Sequence, residues 1–319
     1  MKKIILVAGA PNSINAEIIH KTWKNLSKNI KKKIFLIGNY KLILSQFKKL
    51  RLKTKIKDVE KINNKNDLSL KIIDVPLKFK NPFKVSLRES SKYVIKSLDL
   101  AHNACIKKKI KGFINCPIDK KLLNNGKIIG VTEYLAKKNR IKNNSEVMMI
   151  YNQKLSVVPI TTHIKLKKVA SSLNQNLIYK KLITLNNDYK KLFKKKPKIC
   201  LLGLNPHNAE LLKDSEEVKI IMPSILRLKK KGLNIQGPLV ADTVFINKFK
   251  EFDVIVGMYH DQVLSPFKTL FNFDAINITL GLNYLRLSPD HGTAVNLIYK
   301  KKANYTSLYK CINFMNKIN

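Results

Sequence analysis

Acidic residues are scarce in this chain: 21 Asp and Glu stand against 62 Lys and Arg, a formal net charge of +41 over 319 residues. An excess of that size invites a polyanionic partner, such as nucleic acid or a membrane surface. Its distribution argues against both. Lysine triplets recur at 31–33, 107–109, 194–196, 229–231 and 300–302, without a single basic stripe, a Gly-rich arm or interleaved aromatics. Lys, Asn and Ile are all abundant and share AT-rich codons, so the excess reads as drift of a solvated surface, one that still draws in an anionic substrate. Nucleic acid is not an expected partner.

Cysteine is also sparse. Cys105, Cys116, Cys200 and Cys311 lie far apart with no C-x-x-C pair, a pattern that fits neither a zinc knuckle nor a disulfide framework and points to reduced thiols. Long apolar runs are missing too. The opening Lys2 and Lys3 followed by Ile4, Ile5, Leu6 and Val7 imitates a signal peptide, but the apolar part is too short for one and reads as a first strand. No run reaches the length of a membrane span. A cytoplasmic chain with no membrane partner is expected.

What is present is core material. Hydrophobic residues make up 45% of the sequence, enough for a buried interior and, at this length, for two lobes with a cleft between them. Short β-branched runs alternate with longer amphipathic stretches, the pattern of a mostly parallel α/β sheet flanked by helices. Strands are expected at 4–7, 33–37, 112–115, 147–151, 157–161, 199–204, 254–258 and 275–280. A helix over 91–104 places Tyr93, Val94, Leu98 and Ala101 on one face. The Lys- and Asn-rich stretch 48–71 reads as decorated surface. The first lobe is expected to comprise 1–118 and 277–319, the second 119–276.

Three of the six histidines share one local context. His163, His207 and His260 each lie just past the C-terminal end of an apolar strand, where open α/β sheets bind ligands. Imidazole suits zinc and similar divalent ions, and three of them leave coordination positions free for a substrate. A single histidine at a strand end is more often structural; it is the repetition that points to metal. A second cluster follows: Lys268, Asn277, Arg286, then Asp290, His291, Gly292, Thr293 and Ala294. Lys268 and Arg286 suit a phosphate or carboxylate, arginine in bidentate fashion. The last segment is equally readable as a loop and helix cap, with Thr293 as the cap.

In order along the chain occur Thr161-Thr162-His163, Gly203-Leu204-Asn205-Pro206-His207, Gly237-Pro238-Leu239-Val240-Ala241-Asp242-Thr243, Met258-Tyr259-His260-Asp261-Gln262, Asn277-Ile278-Thr279-Leu280-Gly281-Leu282 and Asp290-His291-Gly292-Thr293-Ala294. From about residue 110 onward this set closely resembles the 4-hydroxythreonine-4-phosphate dehydrogenase family of pyridoxal phosphate biosynthesis. The resemblance implies the two-lobed isocitrate and isopropylmalate dehydrogenase fold, consistent with the absence of a G-x-G-x-x-G fingerprint. It implies a homodimer whose metal site is shared across the interface, with zinc, magnesium or cobalt held at His163, His207 and His260. Substrate contacts are implied at Thr132, Lys268, Asn277 and Arg286, with Lys268 as acid/base or anion clamp. By looser analogy, His291 and Gly292 approach the adenine end of NAD. The implied reaction is NAD-dependent oxidation of a small phosphorylated amino acid, 4-phosphohydroxy-L-threonine, and its decarboxylation to 3-amino-2-oxopropyl phosphate. A diverged member acting on another phosphorylated hydroxy acid, such as a threonate 4-phosphate, is the alternative.

The sequence also departs from the family. Where Gly-His-Thr-Glu is usual, this chain has Gly130-Val131-Thr132-Glu133, and valine can neither hydrogen-bond nor transfer a proton. Cys116 and Asp119 replace the usual glycine and histidine, and the connection on to Gly130 is shorter. In the N-terminal loop, Gly9-Ala10-Pro11-Asn12-Ser13-Ile14-Asn15-Ala16, two family glycines have become Ser13 and Asn15. Asparagine tolerates a left-handed backbone better than serine does, so a preserved loop shape with poorer backbone access for a ligand is expected.

Overall fold

Aliphatic and β-branched runs become strands throughout: β1 (Ile4–Val7), β2 (Ile34–Gly38), β3 (Ile56–Asp58), β4 (Leu70–Asp74), β5 (Gly112–Asn115), β6 (Val147–Tyr151), β7 (Ser156–Thr161), β8 (Ile199–Leu202), β9 (Ile235–Leu239), β10 (Val254–Tyr259), β11 (Ile276–Leu280) and β12 (Leu285–Pro289). The principal helices are α1 (Asn15–Asn25), α2 (Tyr40–Lys49), α3 (Leu87–Ile106), α4 (Val131–Lys138), α5 (Gln175–Phe193), α6 (Met222–Lys230), α7 (His260–Phe271) and α8 (Thr306–Ile318). The computed structural model describes residues 3–62, 67–107, 110–123, 130–141 and 145–318. It divides into two compact units, Met1–Leu135 with Asn283–Asn319, and Ala136–Leu282.

In the first unit the strands run in the order β3-β4-β2-β1-β5-β12, all parallel. β1 and β2 are buried along their whole length, as expected of strands covered on both faces. Helix α3 packs on β1, β2 and β5, and α8 on β12. It begins earlier than its apolar periodicity indicates, because Ser86 accepts a hydrogen bond from the Glu89 amide and caps it at Leu87.

The stretch 48–71 is not mere surface. It contains β3 and the start of β4, and Lys71 is only 1% exposed. Its ammonium donates to the carbonyl oxygens of Lys31, Lys32 and Asp67 and lies 5.0 Å from the centre of the Phe35 ring. Those acceptors are what make the burial tolerable. Burial lowers the Lys71 pKa, with Asp67 opposing and Lys3 reinforcing the shift.

In the second unit the order is β11-β6-β7-β10-β8-β9. β7, β10, β8 and β9 are parallel, while β6 is antiparallel to both β7 and β11. Val263, Leu264 and Phe267 of α7 close a core over Val157, Cys200 and Ile255.

The chain passes between units at 135/136 and 282/283, not at 118/119 and 276/277. Ser91 donates to the Leu122 carbonyl at 2.8 Å and Tyr134 to Asp99 at 2.6 Å, which holds the turn Lys120–Leu122 and the start of α4 to α3. β11 pairs along its length with β6 and so belongs to the second unit. The shortened connection before Gly130 includes 124–129, which lies outside the described residues.

Candidate active site

Three adjacent parallel strands of the second unit, β7, β10 and β8, lead into His163, His260 and His207 respectively. Neighbouring strands lie about 4.8 Å apart, so parallel strands bring the residues after their C-terminal ends to one edge. The Thr161 hydroxyl donates to the Met258 carbonyl at 2.7 Å and ties the ends of β7 and β10 together. Just beyond that tie, the His163 and His260 rings lie 5.6 Å apart, centroid to centroid. His260 Nδ1 is 2.7 Å from Asp261 Oδ1. A carboxylate on one ring nitrogen is the arrangement that orients the other toward a metal.

His207 sits in an unusual backbone. Residues 207–211 all have φ between 46° and 57°, a left-handed turn without a glycine. Such a conformation costs about 1–2 kcal/mol per residue and persists only where the surroundings fix it. The surroundings here do. Glu217, 0% exposed, accepts from the Leu204 amide at 2.7 Å, the Asn205 amide at 2.9 Å and the Asn205 side chain at 3.0 Å. Asn208 Nδ2 donates to the Pro238 carbonyl at 3.1 Å. At the turn's entrance a Cβ on Gly203 would meet the Asn208 amide oxygen, so that side chain would have to shift. Burial pushes the Glu217 carboxyl up, but the hydrogen bonds from Asn205 and Leu204 outweigh it and hold the group below its usual range. Gln262 joins the two strand ends, accepting from the Met258 amide and donating to the Gly203 carbonyl, both at 2.7 Å.

Within one chain the set is incomplete: among the described residues, no group of three His, Cys, Asp or Glu is close enough to hold a metal ion. The donor chemistry of the His163 and His260 pair, with its Asp261 support, nevertheless suits a borderline divalent cation. Lys268 is half-buried two turns further along α7. Asn277, on β11, has its side-chain oxygen buried with no hydrogen-bond partner, the kind of atom a bound ligand satisfies.

In the first unit, Arg286 on β12 is 3% exposed and donates from Nε to Asn115 Oδ1 at 2.8 Å. Burial lowers its pKa to about 10, opposed by Cys311 and by Glu133, whose charge links the first turn of α4 to this guanidinium. Arg286 therefore stays cationic at neutral pH. Val131 and Thr132 occupy that same first turn. Asp119 caps the turn Lys120–Leu122 through the Lys121 amide, and Cys116 is fully buried with its thiol pushed well up by desolvation. His291 Nδ1 lies 3.0 Å from the Gly292 carbonyl, and Gly292 borders open space. The cap expected at Thr293 falls instead at Ala294, with no side-chain bond.

The N-terminal loop holds its shape by a different means from the one expected. Ser13 and Asn15 are 1% and 4% exposed, and neither has a positive φ. Asn15 Nδ2 donates to the carbonyls of Ala8 at 2.9 Å, Ala10 at 3.3 Å and Pro117 at 2.9 Å, and Ser13 Oγ to Ala10 at 2.6 Å. The left-handed position is Gly9, φ 77°, where a Cβ would meet Asn15 Nδ2 and the Pro117 carbonyl, each at 2.6 Å. The Thr293 carbonyl accepts from the Ile14 amide at 3.1 Å, joining this loop to the 290–294 loop.

A family model described as pyridoxal phosphate biosynthetic protein PdxA matches residues 29–315. The chain belongs to that family. Among curated relatives, the 4-hydroxythreonine-4-phosphate dehydrogenase of Aquifex aeolicus (strain VF5) is 37% identical over 315 residues, covering 96% of this chain and 95% of that one. The D-threonate 4-phosphate dehydrogenase of Pectobacterium atrosepticum is 33% identical over 251 residues, covering 75% and 74%. Among solved structures, a 4-hydroxythreonine-4-phosphate dehydrogenase from Klebsiella pneumoniae is similar with a TM-score of 0.85 at 27% identity, covering 100% and 99% of the two chains. Isocitrate dehydrogenase from Methylococcus capsulatus, at 12% identity and a TM-score of 0.50 over 99% and 85%, shares the fold class that the motifs imply.

Of the residues that support this PdxA-family site, Glu217 and Asn115 are not singled out by the sequence, and Gln262 appears there only as the last residue of the Met258–Gln262 motif, without the strand-joining role its hydrogen bonds show. Glu217 carries no local signal, since only the fold brings it to the His207 loop.

Proposed function

We propose that this protein is an NAD- and divalent-metal-dependent dehydrogenase that oxidises 4-phosphohydroxy-L-threonine and releases carbon dioxide to give 3-amino-2-oxopropyl phosphate in pyridoxal phosphate biosynthesis. The observation that carries the reading is the convergence of His163 and His260 at the ends of neighbouring parallel strands, in a chain of this family. In this reading His163, His207 and His260 hold the metal, and a homodimer completes the set across its interface. A divalent ion so held supplies Lewis-acid stabilisation of negative charge on the substrate oxygen, and NAD supplies the hydride acceptor.

The remaining roles belong to side chains. Arg286, cationic and fixed by Asn115, holds an anionic substrate group by paired N–H donors. Thr132 donates a hydroxyl hydrogen bond to the same substrate, and the Asn277 amide orients it. Lys268 takes the proton of the alcohol being oxidised. His291 and Gly292 flank the adenine end of the cofactor. Purified protein supplied with NAD, a divalent metal and 4-phosphohydroxy-L-threonine is expected to produce NADH at 340 nm and to elute at the size of a dimer. No absorbance change under any of zinc, magnesium or cobalt sinks the assignment.

Val131 favours a second reading. A site with an apolar group where the family has a histidine fits a different phosphorylated hydroxy acid, and the Pectobacterium atrosepticum relative is named for D-threonate 4-phosphate. A substrate panel separates the two: the second reading holds only if a threonate 4-phosphate exceeds 4-phosphohydroxy-L-threonine in kcat/KM.

A further inference from the structure

The loop between β8 and the left-handed turn is held by a carboxylate with no sequence motif. In a chain with 62 Lys and Arg and only 21 acidic residues, Glu217 is fully buried and spends its oxygens on the amides of a single loop, Leu204 N, Asn205 N and Asn205 Nδ2. It does so from the first turn of a helical segment, Glu217–Ile221, that runs directly into α6. The Ser215 hydroxyl accepts from the Val218 amide at 3.3 Å and steadies the start of that segment. The loop is therefore fastened to a helix on one side, and through Gln262 to the end of β10 on the other.

We propose that Glu217 is a positioning residue for His207. It touches no metal ligand; it fixes the entrance to the left-handed turn from which the His207 imidazole is presented, and so sets cation affinity at a distance. The inference rests on the reading of His207 as a ligand. Five successive non-glycine residues at positive φ relax to ordinary conformations once their entrance is released, and His207 is the first of the five. Partners bonded directly to a ligand change metal affinity by about tenfold to a hundredfold when removed; Glu217 acts one step further out, through the backbone of Leu204 and Asn205, so the lower end of that range is expected.

The test is cobalt(II) titration of the full-length, metal-stripped protein, followed by the visible absorption of the bound ion. Glu217→Gln keeps the shape of the side chain while replacing an acceptor oxygen with a donor. Asn205→Ala removes the loop's one side-chain donor to Glu217, which also bonds Glu216, leaves the two backbone amides in place, and keeps the test decisive should Glu217→Gln fail to fold. Both are expected to weaken cobalt binding about tenfold or more and to alter the band shape, with the melting of metal-free Asn205→Ala close to wild type. A role confined to folding lowers the melting temperature and leaves cobalt affinity per folded molecule unchanged, which overturns the proposal. Two further outcomes are distinguishable. If wild type binds cobalt, His207→Ala loses it and both variants match wild type, only the positioning role falls; if wild type does not bind, or His207→Ala binds like wild type, the ligand reading falls and this inference with it.

Discussion

His163 and His260 come together, rings 5.6 Å apart and inclined at 40°, because two parallel strands ending in a shared hydrogen bond deliver them there. The Asp261 carboxylate on His260 Nδ1 leaves Nε2 as the nitrogen that would face the proposed metal. Replacing either histidine with alanine is expected to reduce cobalt or zinc affinity at least about a hundredfold, measured by titration against a competing chelator. Wild-type affinity in either variant contradicts the pairing.

Arg286 depends on Asn115. Asn115→Ala removes the acceptor that orients the Arg286 guanidinium through Nε, and the misaligned anion contact is expected to cost roughly 2 kcal/mol of transition-state binding, about thirtyfold in kcat/KM. The effect is expected mainly in KM for the phosphorylated substrate. Steady-state kinetics check this, and an unchanged KM counts against Arg286 as the anion contact.

Lys71→Met keeps most of the buried stem but strips the donors from three carbonyls, those of Lys31, Lys32 and Asp67. Unfolding in urea is expected to show a loss of about 1–3 kcal/mol. A variant as stable as wild type would mean that water replaces the ammonium at no cost.

The acid side of the stability profile depends on Glu217. Burial raises its pKa, the hydrogen bonds from Asn205 and Leu204 lower it further, and the net value lies below the ordinary 4.5. A carboxyl depressed on folding contributes stability above its unfolded value and loses it as pH falls through the folded one. Wild type is therefore expected to lose stability more steeply than Glu217→Gln as pH drops below about 4.5, the ordinary value for this group. Parallel denaturation curves across that window would contradict the depressed pKa.

The sequence made the aliphatic strands legible to within a residue or two, and with them the common strand-end context of the three histidines. It hid the strands that carry polar residues inward. β12 contains Arg286, whose buried guanidinium is met by Asn115 on a strand distant in sequence, and β4 contains Lys71, whose acceptors come from the ends of other elements. β9 contains Gly237 and Pro238, a turn signature by composition that is tolerated here because β9 lies at the end of the strand order. Ser13 and Asn15 misled for a related reason. Their consequence depends on the Ala8, Ala10 and Pro117 carbonyls, which no local pattern reveals.

The most direct measurement of the central claim is the rate of NADH formation from 4-phosphohydroxy-L-threonine and NAD before chelation, after exhaustive chelation, and after return of zinc, magnesium or cobalt. Activity is expected to be lost on chelation, to return with at least one of these ions, and not to return in His163→Ala or His260→Ala. An undiminished rate in the chelated wild-type protein, or no NADH with any of the three ions, would contradict that claim.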